Sequence, residues 1–423
     1  QAVVRGTVPQ SITVRIIGGN GTNTLLDSSR VAGHAQPTHF YDAGKVDNVR
    51  YGPYTLFDRR PQVHAPGGLS DPVRDFGGRT GPTAGLTINH DVGVMPRLGL
   101  AHYGYAFDHY PYASMVALEG RYSFKRGRYK VQLSTDNRLE NSALHFTTLT
   151  RVSQLELIEF HGFGNSTPAL DTAYFDVRQR QLLFQPAIAL SLSHSTELSL
   201  GPVLTYSGID NVPGRFVSDS HPYGFGRTGS FGEASVRLSL HHDNRVPSHH
   251  AHKGTVLDLG ASYTPAVWDV DSAFEEVDAA GGIYLTLPVP TAPAFALRGG
   301  AKKVFGTFPF QDAAFLGGSG TIRTLDPDRY AGDAIVYGTA ELRIPIFTVH
   351  ILAPINVGLL GTVDYGRVYV KGVSDGGWHN AYGGGFWVGF RDLTADIRVM
   401  RADDIGRTAV LTMRAGIPGG PFQ

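Results

Sequence analysis

The sequence has no cysteine among its 423 residues, which excludes disulfide frameworks, thiol catalysis and cysteine metal centres together. It has no excess of charge either. Thirty-seven Lys and Arg balance 37 Asp and Glu, so binding driven by bulk charge, nucleic-acid binding first of all, is not expected. It also lacks a membrane-spanning helix, which takes roughly 18 or more consecutive apolar residues. The best stretch, 349–360, is cut by His350, Pro354 and Asn356. Asp219-Ser220-His221 is an isolated Asp-x-His with no Gly-Asn-His after it. What the chain does have is 53 Gly, 19 Tyr and 23 Phe, spread along most of its length.

The dominant pattern is an alternation of period two in long segments. In Ser114 to Lys125, Val116, Leu118, Gly120, Tyr122 and Phe124 share one face, and Met115, Ala117, Glu119, Arg121, Ser123 and Lys125 the other. A strand sends successive side chains to opposite faces, so such a segment has one side for lipid and one for water. Sixteen strands of this kind can be placed between residues 82 and 417 by alternation and turn signals. Their length matters: a soluble sandwich or propeller also alternates, but its strands run about five or six residues. Many here reach the roughly nine to eleven needed to cross a bilayer tilted. The expectation is an all-β, closed, 16-stranded antiparallel transmembrane barrel over 82–418, with an N-terminal segment over 1–81 and a tail over 419–423. Backbone groups in hydrocarbon must pair internally, and a closed barrel is the spanning solution left once helices are excluded.

An even strand number returns both ends of the sheet to one side. If that side is periplasmic, short links such as Ser193-His194 and Asp392 fall inside, and the longer ones near 159–171, 208–227 and 306–332 fall outside. In the segment from Thr255, Leu257, Leu259, Ala261 and Tyr263 point to lipid, while Asp258 and Ser262 point to the lumen. The lumen is therefore charged with both signs. Within residues 1–81, Ser11 to Gly18 reads as one extra strand. The remainder, rich in Gly, Asn, Asp, Arg and Pro, reads as a plug against the barrel or as a linker.

Asp243-Asn244-Arg245-Val246-Pro247, followed by Gly254 with Ser248 to Lys253 inserted, is the first of three motifs that resemble the BamA/TamA-like bacterial surface-antigen superfamily, and it is similar to the family's Asp-x-Arg, Pro, Gly turn. Leu316 to Thr324, with Ala340-Glu341-Leu342-Arg343 beyond it, resembles a long sixth outer loop and the strand that follows. Asp364-Tyr365-Gly366 resembles the Asp-x-Gly element of the thirteenth strand. The resemblance implies that the sixth loop folds inward and that Arg323 locks onto Asp364 inside the barrel. Alternation independently turns Glu341, Arg343 and Asp364 inward. Where relatives carry Gly and an aromatic after the loop arginine, this chain has Thr324 and Leu325.

The resemblance implies an outer-membrane protein with periplasmic termini, surrounded by lipid, inserted by the barrel-assembly machinery and working with a protein partner or an upstream domain. Residues 1–81 show no pattern of the POTRA domains carried by relatives that insert or secrete proteins. An enzymatic domain, as in a fusion, would lie outside this chain, and no cofactor is expected. The implied role is anchor or translocator, or barrel subunit of an envelope complex, using a weak seam between first and last strands with Gly85 and Gly416 as soft points. The alternative is a passive narrow channel.

Two further constellations have bland readings. His241, His242, His249, His250 and His252 gather at one turn, and imidazole suits zinc, nickel or copper, but the spacing matches no defined site. His145, His161 and His194 have serines within a few positions, yet spacing cannot establish a hydrogen-bonded triad.

Overall fold

The computed structural model describes residues 2–7, 13–18, 22–30, 38–42, 44, 46–53, 55–59, 74–168, 172–226, 229–245, 253–350, 354–372, 376–390, 393–402 and 406–416. Six short strands open the chain: β1 (Ala2–Thr7), β2 (Val14–Ile17), β3 (Asn23–Arg30), β4 (Thr38–Tyr41), β5 (Val46–Arg50) and β6 (Thr55–Asp58). The odd strands form one parallel sheet and the even strands another. Ala2 lies opposite Leu25 and Val14 opposite Thr38, so each winding of the chain adds one strand to each sheet, as in a solenoid. Leu25 and Phe40 are buried in this stack, and Phe40 meets Phe57 edge-on. Asp27, also buried, accepts bonds from the Ser29 N–H at 2.9 Å and the Thr55 hydroxyl at 2.8 Å. Sequence patterning indicated only the strand within Ser11 to Gly18; the others are short and paired in parallel, which leaves little local signature.

From Gly78 onward the chain is one large antiparallel sheet. Its strands are β7 (Gly78–Asn89), β8 (Gly93–Gly104), β9 (Ser114–Ser123), β10 (Arg128–Arg138), β11 (Leu144–Ser153), β12 (Gln179–Ser193), β13 (Thr196–Ile209), β14 (Ser230–Asp243), β15 (Gly254–Thr264), β16 (Phe274–Thr286), β17 (Ala294–Phe305), β20 (Ala334–His350), β21 (Pro354–Tyr369), β22 (His379–Phe390), β23 (Leu393–Ala402) and β24 (Gly406–Gly416). Between β17 and β20, a hairpin of β18 (Ala314–Leu316) and β19 (Tyr330–Gly332) stands apart from the wall. Each wall strand pairs with the next, and β24 comes back to β7, where residues 413–416 lie opposite 85–88. On its other side, β7 is paired with β8 along its whole length.

The alternation decides which way each side chain points. In β9, Val116, Leu118 and Tyr122 are 44%, 52% and 43% exposed, whereas Met115, Ala117, Glu119 and Ser123 are at most 6% exposed. The same outward apolar band continues through Leu98, Leu133, Phe184, Leu200, Leu238, Leu259, Ile283, Leu297, Leu359, Tyr382 and Ile397. A sheet that is apolar outside and charged inside is suited to lipid around it and water or protein within.

The two ends of the wall differ. At one end the links are mostly short, and here the N-terminal stack is tethered: Tyr41 donates to Glu140 at 2.6 Å, Tyr41 packs on Phe107 at 4.9 Å, and Arg15 sits over the same ring at 4.8 Å. At the other end, the links 154–178, 210–229 and 306–333 share an apolar core of Phe160, Val177, Val217, Phe225 and Phe310. Phe160 and Phe310 stand 4.8 Å apart. These loops support one another instead of hanging free.

Candidate functional site: the loop inserted into the lumen

The link 306–333 is held inside the barrel by apolar and ionic contacts at once. Its Ala314, Leu316, Ile322, Leu325 and Tyr330 form one buried cluster with inward-facing Ile335, Val368, Ala381, Met400 and Ala402 of β20 to β23. The small wall residues leave room for the larger loop side chains. Gly317 and Gly318 have φ of +138° and +84°, and a Cβ on Gly317 would lie 2.3 Å from the Asp326 carbonyl oxygen. The descent of the loop thus depends on glycine at that point. Leu325, standing where relatives are aromatic, is 3% exposed and belongs to the same cluster.

At the tip, Arg323 reaches both acidic residues that alternation turned inward. Its Nη1 donates to Glu341 Oε2 at 3.0 Å, its backbone N–H donates to Asp364 Oδ2 at 3.1 Å, and its Nη2 lies 3.0 Å from Asp364 Oδ1. This last contact is an ion pair whose angle falls short of a hydrogen bond. Arg343 completes the other side of Glu341 at 2.6 Å. All four expected lumenal residues, Arg323, Asp364, Glu341 and Arg343, therefore meet.

A further pair joins them. Arg398 of β23 donates to Glu341 Oε2 at 3.0 Å and to Asp396 at 2.5 Å. Sequence reasoning overlooked this pair, although Asp396 and Arg398 stand two apart on one strand face, the signal that marked Glu341 and Arg343. The ion-paired cluster holds three arginines and three carboxylates, and Arg298 of β17 lies within electrostatic reach of Glu341 and Asp364, so each buried carboxylate has a cation near it. On the loop's far flank, Asp91 accepts the Ser319 N–H at 2.7 Å, and His90 lies 2.9 Å from Asp91 and 3.4 Å from Asp326. The two carboxylates, Asp326 first, hold the His90 imidazole protonated well above its ordinary value, at about 9. Deeper in the loop, burial pushes Asp328 up to about 7.

The turn motif lies at the short-link end. Asp243 grips Arg245 twice, at 2.9 Å to Nε and 2.6 Å to Nη2, and Asn244 accepts the Thr255 N–H at 2.6 Å. Gly254 has φ +112°, and a Cβ there would stand 2.6 Å from the Asn244 carbonyl oxygen. Pro247, His249, His250 and His252 lie outside the described residues. His241 pairs with Asp258 at 2.6 Å and His242 bonds Thr196 at 2.8 Å. Gly85 and Gly416 lie opposite each other where β7 meets β24.

The serine neighbours of the histidines resolve into structure. His145 has Asp136 2.7 Å from Nδ1 and the Ser191 hydroxyl 3.4 Å from Nε2, but Glu197 lies 3.2 Å from the same Nε2. With a carboxylate at each ring nitrogen, the imidazole ties β10, β11 and β13 together, and Glu197 competes with Ser191 for Nε2. His161 is likewise held by Glu159 at 3.1 Å and stacked on Phe175.

An apolar-jacketed antiparallel barrel, with a loop inserted and pinned by ions, defines an outer-membrane β-barrel of the kind whose long loop returns into the lumen. Residues 124–391 match the Omp85 superfamily domain, and the chain belongs to that superfamily. Its fold is similar to BamA from Haemophilus ducreyi lacking POTRA domains 1-3, with a TM-score of 0.60 at 13% identity over 80% of this chain and 70% of that one. It is also similar to CdiB from Escherichia coli, with a TM-score of 0.51 at 12% identity over 84% of this chain and 66% of that one. At such identities the likeness concerns the fold alone. No curated protein shows a significant sequence match.

Proposed function

We propose that this chain is a closed, sixteen-stranded outer-membrane barrel with periplasmic termini that seats or translocates a polypeptide segment at the junction of β7 and β24. The observation that carries the reading is the brevity of that junction: residues 413–416 meet 85–88, and no others, among the described residues. Among the described residues, 78–84 of β7 have no strand partner on that side, and an incoming strand would pair there. The inserted loop supports the same reading. A lumen occupied by Ile322, Arg323 and Leu325 favours work at the wall over passive flow through the middle. Arg323, Glu341 and Asp364 act as the lock that keeps the loop there, Arg343 and Arg398 balance it, and the turn of Asp243, Arg245 and Gly254 fixes the register of β14 and β15 at the inner rim. We read the chain as a non-enzymatic partner of other envelope proteins.

The chain lacks cysteine, so Gly85→Cys with Gly416→Cys introduces a single possible disulfide at a position of known register. With a photoreactive residue at Arg79, the reduced protein should capture client polypeptide in the envelope, and the oxidised, locked protein should not. Equal capture by both forms would reject the junction as the working site. Steady conductance in a planar bilayer without adducts would establish the passive channel in its place.

A further inference from the structure

At the long-loop end, a cavity of about 380 Å³ opens between the first residues of β10 and β12. Four arginines line it: Arg126 in the turn after β9, Arg128 at the start of β10, and Arg178 and Arg180 flanking the start of β12. Two aspartates, Asp176 and Asp210, are the only carboxylates in the lining. Asp176 is already engaged, at 2.5 Å by Arg128 Nη2 and at 3.5 Å by Arg215. Arg126 is partly engaged, through Nε to the Asp91 carbonyl at 2.8 Å and Nη1 to Glu159 at 3.1 Å.

Two of the remaining groups hold buried polar atoms without a hydrogen-bond partner in the protein. Arg128 is 7% exposed, yet its Nη1 is buried with no hydrogen-bond partner. Arg126 and Arg178 lie within electrostatic reach of it, so three like charges crowd one wall. Arg178 and Arg180 are exposed. Gln179, 2% exposed, donates to Ser207 at 3.2 Å and leaves its Oε1 unpartnered. Guanidinium groups converging on a cavity are matched by phosphate oxygens, which accept two parallel N–H bonds from one arginine. The free Gln179 oxygen suits a P–OH or sugar hydroxyl. The volume exceeds that of a phosphate alone and leaves room for the sugar that bears it.

We infer that this cavity binds the phosphate of a phosphorylated sugar, presented by a glycolipid of the outer leaflet. The phosphate chemistry rests on the cavity itself. The lipid source rests on the orientation proposed above, which turns the long-loop end to the cell exterior, where headgroups stand beside the first residues of β10 and β12.

The test uses the full chain in detergent and in phosphatidylcholine vesicles with or without lipid A. Isothermal titration with glucosamine 1-phosphate should show saturable binding, weakened at least tenfold in Arg178→Ala/Arg180→Ala, whose exposed positions leave the fold intact. Arg128→Lys, which keeps the charge opposite Asp176 but loses the planar fork, should weaken it as well. Native mass spectrometry should find lipid A retained by the wild type and lost from the double variant. Equal affinity of wild type and double variant for glucosamine 1-phosphate would overturn the site. Sugar-phosphate binding without selective lipid A retention would refute the lipid source. An inverted orientation is a separate failure: a cysteine at Glu140 would then react with impermeant maleimide on intact cells, while binding in detergent stayed unchanged.

Discussion

Arg323→Ala removes the tip of the inserted loop from its lock, and the surrounding geometry sets what that costs. Arg323 is the one cation in direct ion-pair contact with Asp364 among the described residues, and the Asp364 side chain is fully buried. Glu341, by contrast, keeps Arg343 at 2.6 Å and Arg398 at 3.0 Å. The substitution therefore strands Asp364 and leaves Glu341 neutralised, and breaking such a buried pair costs about 3–5 kcal/mol. Asp364→Ala should cost less, because Arg323 retains Glu341. Glu341→Ala should cost at least as much as Arg323→Ala, since it leaves three arginines facing one another. Removing both Arg323 and Asp364 should recover about 0.5–3 kcal/mol relative to the sum of the single losses. Proteolysis within 306–333 measures the open population directly, provided that the loop recloses faster than it is cut. Arg323→Ala should raise the cleavage rate by about 10²- to 10⁴-fold. A rate within threefold of wild type, with unchanged heat-modifiable migration, would refute the lock.

The pH dependence of the same loop has a defined sign. His90 is raised to about 9 in the folded protein, so its contribution is complete below about 6.5, its ordinary value, and is lost as pH rises through 9. Cleavage within 306–333 should accelerate over that window, and His90→Gln should remove the part of the acceleration above about pH 7, beyond the titration of Asp328. Asp328, raised to about 7, acts in the same direction at lower pH: it favours the folded loop below the ordinary carboxylate range, and the benefit disappears as pH rises through 7. Asp328→Asn should therefore stabilise the loop at pH 8, read as slower cleavage. Gly254→Ala forces a side chain into positive φ against the Asn244 carbonyl and should cost about 1–3 kcal/mol, lowering the temperature at which compact gel migration is lost. No shift in that temperature would show that the turn relaxes freely.

The wall was legible in the sequence because lipid and lumen impose opposite demands on alternate residues. Val116 and Glu119 declare their faces without reference to any other strand. The inward faces of Glu341, Arg343 and Asp364 followed from the same rule. Arg398 was equally readable but lay on a strand, β23, that no motif marked. Of the N-terminal stack only the strand at β2 was read; β4 and β6 escaped because they span only four residues each and pair in parallel across long connections, Val14 with Thr38 and Thr38 with Thr55, a relation that periodicity within a segment does not register. The aromatic core of the long loops was hidden for a related reason. Phe160, Phe225 and Phe310 come from three separate links, and only the folded barrel brings them together.

The contact of β24 with β7 also bears on how the barrel forms. Nearly every other wall pairing joins strands adjacent in the chain, so the sheet can grow hairpin by hairpin with small loops to close. Gly85 and Gly416 are roughly 330 positions apart, and their meeting costs about 2.5 kcal/mol more in chain entropy than closing a hairpin of about 20 residues. Among the described residues it returns four of each strand. In chain entropy, joining β24 to β7 is thus the costliest wall pairing and belongs at the end of assembly, after an open, curved sheet with two bare edges has formed. Residues 413–416 then set the rate at which the barrel is completed, and substitutions there should slow folding more than equally destabilising ones in β9 or β21.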